Sequence, residues 1–282
     1  MSTMSSSLTV PSSGGVAVAL HDLGGTGAPL LVCHATGFHG RMYAPLARGL
    51  TEHYHVFALD FRGHGASTLP DDGDMAWAGM GDDLLACVDA IGVRSLHAFG
   101  HSMGGAAILL AELRRPGTIA GAFLYEPIVF ERNFVITREQ NPMSGPARRR
   151  REVFASRHEA LSRFAAKPPL NVLHPDALAA YVEHGLVDLP DGTVRLACRA
   201  ETEASTFEAE DKMTLDLVED LMTPIVVAGG EQSGAPIEPI MLAAPLVAAL
   251  GNAKLIEYES LGHFGPFQDP DRIAADILAA FE

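Results

Sequence analysis

Ser102 lies in the stretch Gly100-His-Ser-Met-Gly104, with a glycine two residues away on either side. The run before it, Ser95-Leu-His-Ala-Phe99, reads as a buried strand, and the Ala-, Ile- and Leu-rich run after it reads as a helix. On so tight a strand-to-helix turn the serine hydroxyl is pushed outward. The chain passes close by on both sides, so the flanking positions must be small. The helix N-terminus aims unpaired N–H groups and a positive dipole end at the same place. This is equipment for nucleophilic attack on a carbonyl carbon. The plainer reading is a serine that caps a helix; the strand before it and the glycines around it favour the nucleophile.

A serine hydroxyl attacks poorly until a base takes its proton. Of twelve histidines, His263 stands in Ser260-Leu-Gly-His-Phe-Gly-Pro266, directly after the last strand-like run at 253–258. With a chain order of nucleophile, acid, base, that loop is where the base belongs. His21, His53, His55, His158, His174 and His184 lie in polar, surface-like contexts. His34, His39, His64, His97 and His101 belong to earlier segments and lack that placement.

The elements that must position these groups can be read from the apolar pattern. After an N-terminal strand pair, candidate strands span 29–34, 55–60, 95–100, 120–126, 224–229 and 253–258. Most are apolar with little alternation, as strands covered on both faces should be. Helical spacing predicts helices over 75–91, 102–115, 237–250 and 271–281. Strand and helix alternate, which predicts an α/β fold with a parallel sheet. Residues 127–220 break the rhythm. They hold Arg148 to Arg151, a polar helical stretch through Phe164, the Lys167-Pro-Pro169 break, a helix near 175–185 and a turn at Pro190-Asp-Gly192. No strong buried strand is visible there, so the segment is expected to be an inserted, mainly helical cap, with 1–126 and 221–282 forming the core. The arginine run is expected to be a solvated helix face rather than an anion site.

With 282 residues, 48% hydrophobic and 20% charged, the chain can bury a core. Its formal charge of −15 disfavours nucleic acid and anionic membrane as partners. No apolar run reaches the roughly 18 residues of a membrane span, and the N-terminus has no basic, then apolar, leader. A cytoplasmic protein is expected. A homodimer through the cap is compatible with this sequence. Cys33, Cys87 and Cys198 are scattered, suggesting buried thiols rather than a disulfide framework, and no spacing suggests a metal or an organic cofactor.

Four segments taken in order, His34-Ala-Thr-Gly-Phe38, Asp60-Phe-Arg-Gly-His-Gly-Ala-Ser67, Gly100-His-Ser-Met-Gly-Gly105 and Gly262-His-Phe264, resemble the successive signatures of the α/β-hydrolase superfamily. The resemblance spans nearly the whole chain. It implies an eight-stranded, mostly parallel sheet with one antiparallel strand, helices on both faces and a cap over the site. It implies an oxyanion hole of two backbone N–H groups, those of Met103 and of a residue in the 34–37 turn. Register on the family's His-Gly-x pattern selects Thr36; Ala35 replaces the usual glycine, which leaves Gly37 as the alternative. Asp60 and Arg62 are expected to tie loops together. Phe38 and Phe264 are expected to line a partly apolar substrate site.

The acid departs from the family pattern. The usual aspartate follows the seventh strand, where this chain reads Gly229-Gly-Glu-Gln-Ser-Gly234 and Ser233 takes the expected place. A neutral hydroxyl cannot stabilise an imidazolium as a carboxylate does. Glu231 is near, and Glu126 closes the sixth strand in Leu124-Tyr-Glu-Pro127. Glu126 is the first choice. Its place is similar to that of the acid in one branch of haloalkane dehalogenases and in fungal zearalenone lactonases. Haloalkane dehalogenases and epoxide hydrolases use a carboxylate nucleophile, so the serine here disfavours both reactions. Serine with histidine favours acyl transfer, and a small carboxylic ester or lactone is the expected substrate. Carbon–carbon bond hydrolysis and perhydrolysis are alternatives on the same triad. A ligand receptor with a degenerate site is the alternative of another class.

Overall fold

The computed structural model describes residues 7–132, 140–231 and 238–282. Ser233, the place of the usual aspartate, lies outside them. One sheet runs through the molecule in the order β1-β2-β4-β3-β5-β6-β10-β11. Its strands are β1 (Ser7–Pro11), β2 (Ala17–Gly24), β3 (Ala28–Cys33), β4 (Tyr54–Asp60), β5 (Leu96–His101), β6 (Ile119–Tyr125), β10 (Ile225–Gly229) and β11 (Lys254–Glu257). Only β2 runs against its neighbours; the pairs from β4 to β11 are parallel.

The apolar runs have a direct physical cause. Along β3, Leu31 and Cys33 enter the cluster on one face, with α2 (Trp77–Ile91), α3 (Met103–Arg114) and α8 (Ile240–Leu250). Leu30 and Val32 enter the cluster on the other face, with α1 (Ala44–Arg48) and α10 (Pro270–Phe281). A strand buried on both faces loses the polar alternation that marks a surface strand. The three cysteines are buried free thiols. No helix among the described residues is long and apolar enough to cross a membrane.

The segment between β6 and β10 holds α4 (Ser144–Arg148), β7 (Val153–Phe154), α5 (Arg157–Ala166), α6 (Pro175–His184), β8 (Leu186–Asp188), β9 (Val194–Leu196) and α7 (Ala200–Glu208). It corrects two expectations. Strands β7, β9 and β8 form a small antiparallel sheet in which Val194 and Leu196 are buried. Two- and three-residue strands leave no apolar run to read. The polar helical stretch through Phe164 is also interrupted, because α5 begins afresh at a capping box. Ser156 Oγ accepts from Glu159 N at 3.1 Å, and Glu159 Oε2 accepts from Ala155 N at 2.7 Å. The short helix α9 (Gly265–Gln268) follows β11 and precedes α10.

Long-range hydrogen bonds join this segment to the core. The N–H groups of Trp77 and Ala78, at the start of α2, donate to the Asp211 carboxylate at 2.9 and 2.7 Å. Trp77 Nε1 donates to Thr206 O at 3.0 Å. Below the site, Arg62 Nη2 and Nε reach the two Asp83 oxygens at 2.8 and 3.0 Å, a buried bidentate pair. Asp60 accepts from Gly40 N, Ala66 N and His21 Nε2, so both Asp60 and Arg62 bind loops together.

Candidate active site

Ser102 stands between β5 and α3 with φ 56° and ψ −118°. This strained geometry is held from several directions. Ser102 N donates to Tyr125 O at 2.9 Å, and Ser102 O accepts from Gly105 N and Ile128 N. The glycines are required by space. A Cβ at Gly104 would lie 2.1 Å from the Cys33 carbonyl oxygen, and one at Gly100 would lie 2.7 Å from Gly105 Cα. Because the Cys33 oxygen is fixed in the sheet, Gly104→Ala is expected to cost about 4 kcal/mol or more. A collapse of soluble yield, or a much lower denaturation midpoint, would register it.

Glu126 is the residue after β6, with φ 45°. Among the described residues, Ser102 and Glu126 are the only non-glycines at positive φ. Backbone strain of this kind persists where the surroundings over-determine it, and it concentrates at functional sites. Glu126 is buried and both its oxygens are occupied. Oε1 accepts from Gly230 N at 2.8 Å, and Oε2 meets His263 Nδ1 at 2.5 Å. The carboxylate thus reaches across β10 to the loop after β11. Glu231 is exposed and makes no bond to His263; its own N–H donates to Leu261 O.

The His263 loop is anchored by its backbone. Tyr125 Oη donates to Gly262 O at 2.8 Å, Gly262 N donates to Gln268 Oε1 at 2.8 Å, and His101 Nε2 donates to His263 O at 2.8 Å. His101 therefore carries its proton on Nε2, and its Nδ1 accepts from Tyr43 Oη at 2.8 Å. Tyr43 Oη in turn accepts from Ala35 N at 3.3 Å. A buried chain of hydrogen bonds runs from the 34–37 turn to the His263 loop. Sequence reading had no signal for this role of His101, since its partners lie at positions 43 and 263.

The same turn orients a free N–H. Phe61 N donates to His34 Nε2 at 2.9 Å, so the proton of His34 sits on Nδ1 and is donated to Ala35 O at 2.8 Å. Phe38 N donates to the same oxygen. A trans peptide holds its C=O and N–H in opposite directions, so fixing Ala35 O fixes Thr36 N–H. The Ala35 N–H is already taken by Tyr43. Among the described residues, Thr36 N–H has no acceptor, and neither has Met103 N–H at the first position of α3. Thr36 Oγ1 lies 3.4 Å from Met103 Sδ, which joins the two halves.

Ser102, Thr36, Phe38, His263 and Phe264 line one cavity of about 470 Å³. The rings of Phe38 and Phe264 meet edge to face, 5.7 Å apart. Ser102 and His263 face this cavity without a hydrogen bond between their side chains. In a free site such bonds are often long and tighten only around substrate.

Burial holds four nearby histidines neutral. It lowers His34 to about 3 and His39 to about 4, and it lowers His64 and His101. The unfolded chain binds these protons near pH 6.5 and the native chain does not, so acid favours unfolding. His34 and His39 alone contribute about 1.4 kcal/mol each per pH unit between about 4 and 6.5, stability present above that window and lost as pH falls through it. Urea unfolding at pH 7 and 5.5 should show a loss of about 3 kcal/mol.

The arginine run departs from expectation. Arg148 pairs with Glu201 and Glu208, but Arg149, Arg150 and Arg151 line the cavity. Arg150 Nη1 donates to Glu203 Oε2 at 2.5 Å, and its Nη2 bonds Tyr181 Oη. This pair packs on the 34–37 turn. A Cβ on Gly37, whose φ is 82°, would lie 2.8 Å from Glu203 Oε1 and 3.4 Å from Arg150 Nη1. The helix that starts the run ends at Arg148; Arg150 then turns in to Glu203, while Arg149 and Arg151 stay exposed at the cavity rim.

Residues 30–276 match the model of the alpha/beta hydrolase family. The chain is 30% identical over 240 residues to a non-heme chloroperoxidase from Streptomyces lividans, covering 82% of each chain. It is 30% identical over 96 residues to an (E)-2-((N-methylformamido)methylene)succinate hydrolase from Acinetobacter baylyi, where the match covers 34% of this chain and only 36% of that protein. A solved E-2-(acetamidomethylene)succinate hydrolase superposes with a TM-score of 0.79 at 18% identity, covering 98% of this chain and 99% of that one, which is a likeness of fold. The eight-stranded sheet with β2 alone reversed, the strained serine between β5 and α3 and the family match over residues 30–276 agree: this chain belongs to the alpha/beta hydrolase family.

Proposed function

We propose that this hydrolase cleaves a small carboxylic ester or lactone through an acyl-enzyme, with Ser102 as nucleophile, His263 as base and Glu126 as acid. The observation that carries the reading is the Glu126–His263 contact of 2.5 Å beside a cavity that also holds Ser102. With Nδ1–H donated to Glu126, His263 presents an unprotonated Nε2 to take the serine proton. Ser102 Oγ attacks the carbonyl, and the oxyanion draws on the free N–H groups of Thr36 and Met103. Collapse of the tetrahedral intermediate returns the proton from Nε2 to the leaving oxygen. Water then enters by the same base and releases the acid. Residues 127–220 act as the cap, in the cytoplasm, and Phe38 and Phe264 receive the apolar part of the substrate.

The relatives widen the assay rather than the mechanism. One is named for a formamido-substituted succinate and another is named a chloroperoxidase, so amides and peracid formation belong beside esters and lactones in the panel. The test is fluorophosphonate labelling with hydrolysis of p-nitrophenyl esters and simple lactones. Covalent label on Ser102 and turnover of at least one substrate are expected. Neither label nor turnover would leave a ligand-binding protein with a silent site.

A further inference from the structure

We infer that the substrate carries a carboxylate, bound in the cavity by cations from the segment between β6 and β10. The inference deepens the proposed acyl-transfer reading and rests on it for the reaction, though not for binding. The chain has a formal charge of −15, yet the cavity reverses that sign. Among the described residues, Arg149, Arg150, Arg151, Arg163 and Lys167 line it against a single carboxylate, Glu203. Arg150 is committed to Glu203, and Arg151 to Glu159 at 2.7 Å. Arg149, Arg163 and Lys167 form no ion pair among the described residues and are exposed. Arg163 feels Glu159 at a distance, which leaves Arg149 and Lys167 the freest charges. The Arg149 guanidinium folds over α4, its Nη1 3.3 Å from where a Cβ on Gly145 would sit.

The division of labour follows the chain. The core contributes Thr36, Phe38, Ser102, His263 and Phe264 to the cavity, and among the described residues the β6–β10 segment contributes its arginines and its lysine. Unpaired cations around a cavity with apolar walls concentrate field on an anionic ligand. A planar guanidinium fork suits a carboxylate, which it can hold by two parallel hydrogen bonds.

Matched substrates test this. Dimethyl esters of succinic, glutaric and adipic acids are compared with their monomethyl half-esters, both in turnover by the native protein and in calorimetric binding to Ser102→Ala. The half-ester is expected to be preferred about tenfold or more at low salt, mainly in KM, with the preference shrinking as salt rises. In Arg149→Gln/Arg163→Gln/Lys167→Gln, three exposed changes that leave the core untouched, the preference should fall to near unity. Equal handling of the two esters by the native chain would overturn the inference. So would a preference that survives in the triple variant, or displacement of the half-ester by inorganic phosphate as readily as by glutarate. Preferential half-ester binding without turnover would support the carboxylate site while rejecting the hydrolase reading.

Discussion

Glu126→Gln is expected to lower kcat by about three to four orders of magnitude while leaving the fold intact, because the change is isosteric. The buried surroundings decide how the amide must sit. Gly230 N–H requires an acceptor at Oε1, so the amide oxygen takes that place and the NH2 group faces His263 Nδ1. Nδ1 must then accept, which moves the imidazole proton to Nε2, the atom that should receive the serine proton. The variant holds the wrong tautomer as well as losing the charge that stabilises the imidazolium. Stopped-flow or steady-state assays on the best ester of the panel would read the loss. Glu231→Gln, at an exposed side chain off the His263 contact, should stay near native rates. Near-native turnover in Glu126→Gln would remove Glu126 from the mechanism.

Ser102→Ala is expected to have a still larger effect, a fall in kcat/KM of about 10⁵-fold or more, equivalent to about 7 kcal/mol of transition-state stabilisation. The residual rate would come from the oxyanion donors and binding alone. The backbone at position 102 has φ 56°, a strain set by the Cβ that serine and alanine share, so the variant should unfold close to the native protein. Thermal unfolding checks that the loss is catalytic, and fluorophosphonate should no longer label the protein. Turnover at the native rate would reject the acyl-enzyme.

How much of this was legible in the sequence follows from how far each contact reaches along the chain. Strands β3, β4, β5, β6, β10 and β11 begin and end within a residue of their expected limits; burial on both faces writes the inner ones as apolar runs, whereas the edge strand β11 is mostly exposed. Ser102 announces itself through glycines two positions away, a local demand of space. The candidate acid was narrowed to two glutamates by position, and only the folded chain brings Glu126 Oε2 onto His263, 137 residues on. The Arg150–Glu203 pair spans 53 residues and the Tyr43–His101 bond 58, with no periodicity that would link them. Arg149 and Arg151 are solvated as expected, but the inward turn of Arg150 was hidden because a run of four arginines resembles one helix face until the helix is seen to stop at Arg148. The capping box at Ser156 to Glu159 was readable and would have divided the polar stretch correctly.

One register in the sheet has a consequence for how this protein comes into being. His101 and Tyr125 are partners across β5 and β6, so Ser102 and Glu126 are the next residues off the ends of adjacent strands, both at positive φ. The paired strands hold both in that costly conformation, and Glu126 has no imidazole to hold until β10 and β11 have joined beyond them. Parallel pairings of this sequence separation form late in folding. The proposed triad therefore depends on the whole strand order from β5 to β11: on this reading a chain that has not yet seated its last strand holds Ser102 without a paired base.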